Sequence, residues 1–567
     1  MSKEKRPASD QGGEPDVTQQ AVDGMLGPNP FFGLRPEDVM KSFGDIAGQV
    51  VRTPQVAIEQ EAELVRQFIE IMAGRSDLTP TSGDKRFADS VWKENPLYKQ
   101  MMQGYLAWGN AMQGMIDRSA LQGDTKDRAR FAMQLLIDAW APTNTLAGNP
   151  AALRKTAETG GQNLVAGLKN FLQDMRENGG LPSQVNKKAF TLGQNLALSP
   201  GAVVFKNPVL ELIQYAPSTE KVHARPHLIV PPEINKFYLF DLSPGKSIIE
   251  YLTGNGFQIF AISWRNPTVE HRDWSMDTYV AALIEATDAV RDITGSPDLI
   301  VHAACSGAMT AAALAGHLAA KDDDRIRAMT LMVAVLGLSE GTLGLFNTPE
   351  IGATAKKNSD AKGVLDGMEM NRVFAWLRPN DLVWNYWVNN YLMGNEPPTF
   401  DILYWSNDST RLPAKFHGEL IDYFAENLFL KPGALKVLGT PIDLSRVTFD
   451  KMFVAGTTDH ITPWKGVYDA ARAFGGDNEF ILSNSGHIQS LINPPTNKKA
   501  KYFTNPDLVA SSDDWLRDAT TVESSWWNHW RDRLTAMSGE RKAAPDQLGS
   551  AAHPAGRKAP GSYVVEN

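Results

Sequence analysis

The sequence predicts an α/β protein with a mostly parallel sheet, preceded by an α-helical domain. Three observations predict it. From Asn207 onward, short apolar runs alternate with helical segments, which implies βαβ units. Before about Gln194 the apolar residues instead recur every three and four positions, as in QVAIEQEAELVRQFIEIMAG and ARFAMQLLIDAWAP. Between the runs DLIVHA and AMTLMVAV lies ACSGAMTAAALAGHLAA, in which a strand passes into an Ala-rich helix through a turn of four residues.

Residues 1–27 are polar, rich in Gly, Pro, Asp and Gln and without periodicity, so the reading there is a disordered tail. Residues 28–200 are expected to form the helical domain and 201–537 the α/β one, with the elbow inside it. In the latter, ELIQY, HLIV, FQIFAIS, DLIVHA, AMTLMVAV, KMFVAG and EFILSN read as strands. One helix is signposted by Ser243 as cap, Pro244 in its first turn, and Gly254 and Gly256 at its end. The aromatic-rich stretch at about 336–440 interrupts the alternation and reads as a cap inserted over the sheet. Residues 538–567, with their Ala, Pro, Gly and Lys, read as a second disordered tail.

The chain of 567 residues is 43% hydrophobic, enough for two domains with a large core. A formal charge of -9 argues against a nucleic-acid-binding protein. With one cysteine there is no intramolecular disulfide framework, which fits a reducing compartment. The N-terminus lacks an apolar signal region and no later stretch is suited to span a bilayer, so a cytoplasmic location is expected.

That one cysteine, Cys305, sits on the strand-to-helix turn. Lone cysteines are mostly small buried apolar residues. This one occupies the nucleophile position of G-x-S-x-G, with Ala303 in place of the first glycine. The helix that follows favours a thiolate through its dipole and free N–H groups. A nucleophilic thiol needs a base and a group to hold that base. The α/β-hydrolase order places acid and then histidine at later strand ends, and Asp459 after KMFVAG and His487 after EFILSN meet it. Asp459 alone could cap a helix beginning near Pro463, and of the ten histidines a random one is more often a surface or satisfied core residue, the class in which His317 and His460 are placed. Gly456 and Gly486 are expected to allow tight turns that expose both side chains on the catalytic rim. With a thioester substrate, Cys305 attacks, His487 takes the proton and Asp459 orients the imidazole. The oxyanion is expected to meet the N–H of Ser306 and one from Pro231–Asn235, assigned to Ile234.

Longer stretches carry a family resemblance: PPEINKFYLFDLSPGKSIIEYL, FAISWRNP, WSMDTYV, LRPNDLVWNYWVNNYL, FDILYWSNDSTRLP, GTTDHITPW, GHIQSLINPP and SSWWNHW, with NPLY and APTN in the helical domain. The chain resembles polyhydroxyalkanoate synthases, most closely the single-subunit class II type acting on medium-chain substrates. The resemblance implies polymerisation of (R)-3-hydroxyacyl-CoA into polyester with release of coenzyme A, which is substrate rather than resident cofactor. No cofactor or metal is expected. By motif match the resemblance implies that Cys305 is the acylated nucleophile and His487 the base, while Asp459 either assists His487 or activates the 3-hydroxyl. Ala303 and Ala308 depart from the family's glycines by one methyl group each. The resemblance further implies residence on polyester granules, contact with the growing chain, and a homodimer when active. The alternative on the same scaffold is a thioesterase or polyester depolymerase. An inactive granule-coating protein would not need Cys305, Asp459 and His487 in order at three strand ends.

Overall fold

The computed structural model describes residues 54–334, 336–337 and 349–566, with Gly44 and Gly48. The tail expected at 1–27 and most of the first residues of the helical domain lie outside the described residues. The chain divides into two compact units, one holding residues 54–184 with 378–397, the other 185–377 with 398–566.

The helical unit contains α1 (Pro54–Met72), α2 (Pro96–Asp117), α3 (Gly123–Ala139), α4 (Pro150–Thr159) and α5 (Gln162–Glu177). Two starts follow directly from sequence. Asn95 and Asn149 accept N–H groups of the first turns of α2 and α4, and each is followed by a proline, which has no N–H to leave unsatisfied. Phe87, Trp92, Met102, Tyr105, Ile116, Met133 and Ile137 form a core there.

Residues 378–397 were expected in the cap of the catalytic domain, and the structure corrects this. Asn163 and Asn170 of α5 donate to the carbonyls of Leu392 and Asn390 at 2.8 and 3.0 Å. Asn390 donates to Ser183 O at 2.7 Å, and Phe171 packs edge-on against Trp387 and Tyr391. Pairings over some 200 residues of chain leave no local trace, so an aromatic segment serving this unit reads like the rest of the insertion.

The other unit is built on one ten-stranded sheet. In chain order its strands are β1 (Gly201–Lys206), β2 (Leu210–Tyr215), β4 (Pro226–Val230), β5 (Gln258–Trp264), β6 (Leu299–Ala304), β7 (Ile326–Met332), β8 (Asp450–Gly456), β9 (Asn478–Ser483), β10 (Tyr502–Thr504) and β11 (Thr520–Val522); β3 (Lys221–His223) lies outside it. The spatial order is β1-β2-β5-β4-β6-β7-β8-β9-β10-β11. From β5 to β9 all neighbours are parallel, and antiparallel pairs extend both edges. The central strands β4, β5 and β6 are buried throughout, as parallel strands covered on both faces must be. Their connections are α6 (Ile248–Gly254), α7 (Met276–Thr294) and α8 (Ser306–Ala320), and the insertion adds α9 (Pro349–Lys362), α10 (Gly367–Leu377) and α11 (Ala414–Glu426).

Two further expectations are corrected. The cap of α6 is Ser247, whose Oγ accepts the Glu250 N–H at 2.9 Å, whereas Ser243 donates to Asp401 at 2.6 Å. The segment from residue 538 is not a disordered tail. After α12 (Trp526–Met537), which buries Trp526, Trp527 and Trp530, the strand β12 (Arg541–Ala543) pairs with β3. The chain then lies along the outer edge of β1: Val203 donates to Arg557 O, and Gly556 donates back to Val203 O, both at 2.8 Å. Glu211 receives the N–H groups of Ser562 and Tyr563 at 2.8 and 3.0 Å. Composition signals low apolar content, but an edge strand offers unpaired backbone groups that such a segment can satisfy.

Candidate active site

Three loops at the carboxyl ends of parallel strands bring the site together. The first follows β6. Cys305 takes φ 52° and ψ -124°, a conformation that costs a non-glycine residue roughly 1–3 kcal/mol. Its N–H donates to Met332 O at 3.0 Å, which ties the turn to the end of β7. Ser306 begins α8, so its N–H has no acceptor within the helix. Gly307 is required by space: a Cβ there would lie 2.3 Å from Pro231 O, so α8 and the loop after β4 touch backbone to backbone.

The second loop follows β8. Asp459 Oδ1 accepts the N–H groups of Ile461 and Thr462, each at 2.9 Å, and Oδ2 accepts the Thr462 hydroxyl at 2.6 Å. Asp459 therefore organises its own turn; the nearby helix starts at Trp464 with Pro463 as its cap. The third loop follows β9 and presents His487 as the first residue of the short helix His487–Leu491. His487 Nδ1 lies 2.7 Å from Asp459 Oδ2, and the Cys305 thiol is close enough to the imidazole to act on its charge. Since Nδ1 faces Asp459, Nε2 is the nitrogen left for Cys305.

The expected exposure on a rim is corrected: Asp459 and His487 are 7% and 8% exposed, and Cys305 is 7% exposed. Neither Gly456 nor Gly486 adopts positive φ. Gly456 serves space instead, because a Cβ there would stand 2.4 Å from Ser485 O and Ser490 Oγ.

Burial disfavours charge on both members of the pair, but their interaction overrides it. Asp459 is held below its ordinary value by His487 and the Thr462 bonds, against desolvation. His487 is raised, with Asp459 and Cys305 outweighing its desolvation. An imidazole so placed can take the thiol proton and hold it, and the carboxylate fixes which nitrogen does so.

Of the expected oxyanion residues, Ser306 adjoins the thiol in the chain and Ile234 lies in the loop facing α8. The sequence reading overlooked Glu233, a buried carboxyl whose N–H donates to Ser306 Oγ at 3.1 Å. A charged residue between PP and IN, within the loop singled out for donors, was the available signal.

Poly(3-hydroxyalkanoate) polymerase 1 of Ectopseudomonas oleovorans is 50% identical over 97% of this chain and 99% of its own length. The chain belongs to the poly(3-hydroxyalkanoate) polymerase family. Polymerase 2 of the same organism is 48% identical, over 95% of this chain and 96% of that protein. The polymerase subunit PhaC of Cupriavidus necator is 36% identical, over 87% and 84%. The family profile described as the poly-beta-hydroxybutyrate polymerase N-terminus matches residues 83–252, and that of the alpha/beta hydrolase fold matches 240–494. As a poly(3-hydroxyalkanoate) polymerase family member the protein is an acyltransferase of α/β-hydrolase fold. Among its described residues no helix is long and apolar enough to cross a membrane.

Proposed function

We propose that the protein polymerises (R)-3-hydroxyacyl-CoA of medium chain length into polyester, with Cys305, His487 and Asp459 as its catalytic residues. The observation carrying this reading is the buried Asp459–His487 pair, with the Cys305 thiol near the imidazole on a strained strand-to-helix turn. His487 takes the proton of Cys305, and the thiolate attacks the thioester carbonyl. The negative oxygen formed is met by the N–H groups of Ser306 and Ile234. The bond to the coenzyme A sulfur then breaks, and His487 returns its proton to that leaving sulfur. In the second half, the 3-hydroxyl of the next unit loses its proton to His487 and attacks the acyl-cysteine. An ester bond forms and the Cys305 thiol is restored.

Asp459 supports this cycle by orienting His487 and stabilising the imidazolium, and its four acceptor contacts favour that role over direct activation of the 3-hydroxyl. The reaction as written draws on no resident cofactor. Medium-chain preference rests on the likeness to class II synthases. A cytoplasmic location at the surface of polyester granules, and a homodimeric active form, belong to the same reading.

The test follows coenzyme A release and polymer from (R)-3-hydroxyoctanoyl-CoA in the wild type and Cys305→Ala. Polymer from the first and neither product from the second is the expected result. Free hydroxy acid without polymer would make the protein a thioesterase. Equal activity in both proteins would remove Cys305 from the mechanism.

A further inference from the structure

The loop Pro231–Asn235 is gripped from two sides, and Glu233 takes part in both grips. Toward α8, its N–H donates to Ser306 Oγ at 3.1 Å and its Oε1 accepts the Thr310 hydroxyl at 2.5 Å. Toward the insertion, its carbonyl accepts the Thr410 hydroxyl, while Thr410 N–H donates to Ile234 O at 3.4 Å and Asn235 bridges to Ser409. Glu233, Thr310 and Thr410 are all buried, at 2%, 0% and 2% exposure. Burying a carboxyl is costly unless its bonds are used, and desolvation raises the pKa of this one despite the Ser306 and Thr310 hydroxyls. Gly307 sets how closely the loop approaches α8, and the Glu233 contacts tie the loop to Ser306 and Thr310 in the first turns of that helix.

We propose that Glu233 is a positioning residue for acyl transfer, locking the loop that carries Ile234 to the first turns of α8 so that the Ile234 and Ser306 N–H groups converge on one acyl oxygen. The inference rests on the acyl-transfer reading above. It also explains why Ile234 rather than its neighbour is the donor: the Glu233 N–H is already committed to Ser306 Oγ. Thr410 extends the lock into the insertion, so the Ser409–Arg411 segment and the elbow helix share control of one donor.

The lone cysteine makes the test clean, since alkylating the protein with iodoacetamide reports Cys305 alone. Alkylation displaces iodide at a saturated carbon and forms no oxyanion, whereas acylation by (R)-3-hydroxyoctanoyl-CoA does. Glu233→Ala is expected to slow single-turnover coenzyme A release by roughly 10²-fold, with KM and the alkylation rate little changed. Glu233→Gln keeps an acceptor for Thr310 and should retain most of the acylation rate. Thr310→Val should reproduce part of the loss and add little to Glu233→Ala. If Glu233→Ala does not fold, Thr310→Val and Thr410→Val carry the same comparison of acylation with alkylation. The inference is overturned if the folded variants acylate at the wild-type rate, if alkylation falls in step with acylation, or if Gln is as damaging as Ala. A wild type that releases no coenzyme A overturns the acyl-transfer reading instead, which separates the two failures.

Discussion

Each unit sets a basic side chain against carboxylate, and the two clusters are put together differently. In the helical unit, Arg86 engages all three guanidinium nitrogens. Nε and one terminal nitrogen meet Asp84 at 3.0 and 2.9 Å, and the other terminal nitrogen meets Tyr105, Asp138 and Asn380 at 3.1, 3.3 and 3.1 Å. In the α/β unit, His487 spends Nδ1 on Asp459 and leaves its other nitrogen for a thiol. The contrast separates a half-buried guanidinium that is saturated, and so holds segments together, from a buried imidazole that keeps a proton site for a reacting partner. Arg86 joins residues 84, 105, 138 and 380 of one unit; His487 joins two strand ends to a nucleophile.

The largest effects should follow from breaking the second cluster. His487→Gln is expected to lower coenzyme A release by at least about 10³-fold, together with some loss of stability as buried Asp459 loses its partner. Loss of stability with coenzyme A release intact would make His487 a structural residue like Arg86. Asp459→Asn should cost on the order of 10²–10⁴ in the same assay, by leaving the imidazole misoriented and its cation unsupported. It should also change how stability depends on pH. The contribution of the raised His487 is complete below its ordinary value of 6.5 and fades as pH rises through the folded value. That of the lowered Asp459 is complete above 3.8 and fades as pH falls through its folded value. The excess stability of wild type over Asp459→Asn, measured by urea unfolding, should therefore peak between pH 3.8 and 6.5. An excess that grows toward alkaline pH would contradict the assignment.

Breaking the first cluster should read out as stability. Arg86→Met leaves Asp138 and Asp84 without their cation and is expected to cost about 2–4 kcal/mol in the helical unit, by hydrogen exchange, with Cys305 alkylation unaffected. Loss of alkylation without loss of protection would refute the comparison. The smallest effect concerns another buried carboxylate, Glu211, which clamps Ser562 and Tyr563. Glu211→Ala should cost about 1–2 kcal/mol and quicken proteolysis of the C-terminal segment.

Much of this molecule could be read without coordinates where its cause is local. The run DLIVHAACSGAMTAAALAGHLAA contains its own strand, turn and helix, and the order Cys305, Asp459, His487 follows strands visible as apolar runs. The choice of Ser247 over Ser243 as cap was less legible, since both are serines near the same helix and Asp401, far along the chain, claims one of them. Glu233 was missed for a similar reason: its role depends on Thr310 and Thr410, which adjacency in sequence does not reveal.

By itself, then, the amino-acid order determined the succession of helices and strands, the elbow, and the residue types offered for catalysis. Periodicity, turn chemistry and caps act over a few residues, so a one-dimensional pattern carries them. Only the tertiary structure decided that residues 378–397 serve the helical unit, that the C-terminal segment closes an edge of the sheet, and that the site's carboxylate and imidazole are buried. Each of those outcomes depends on backbone and side-chain groups satisfying partners distant in the chain, and that matching exists only once the chain has folded.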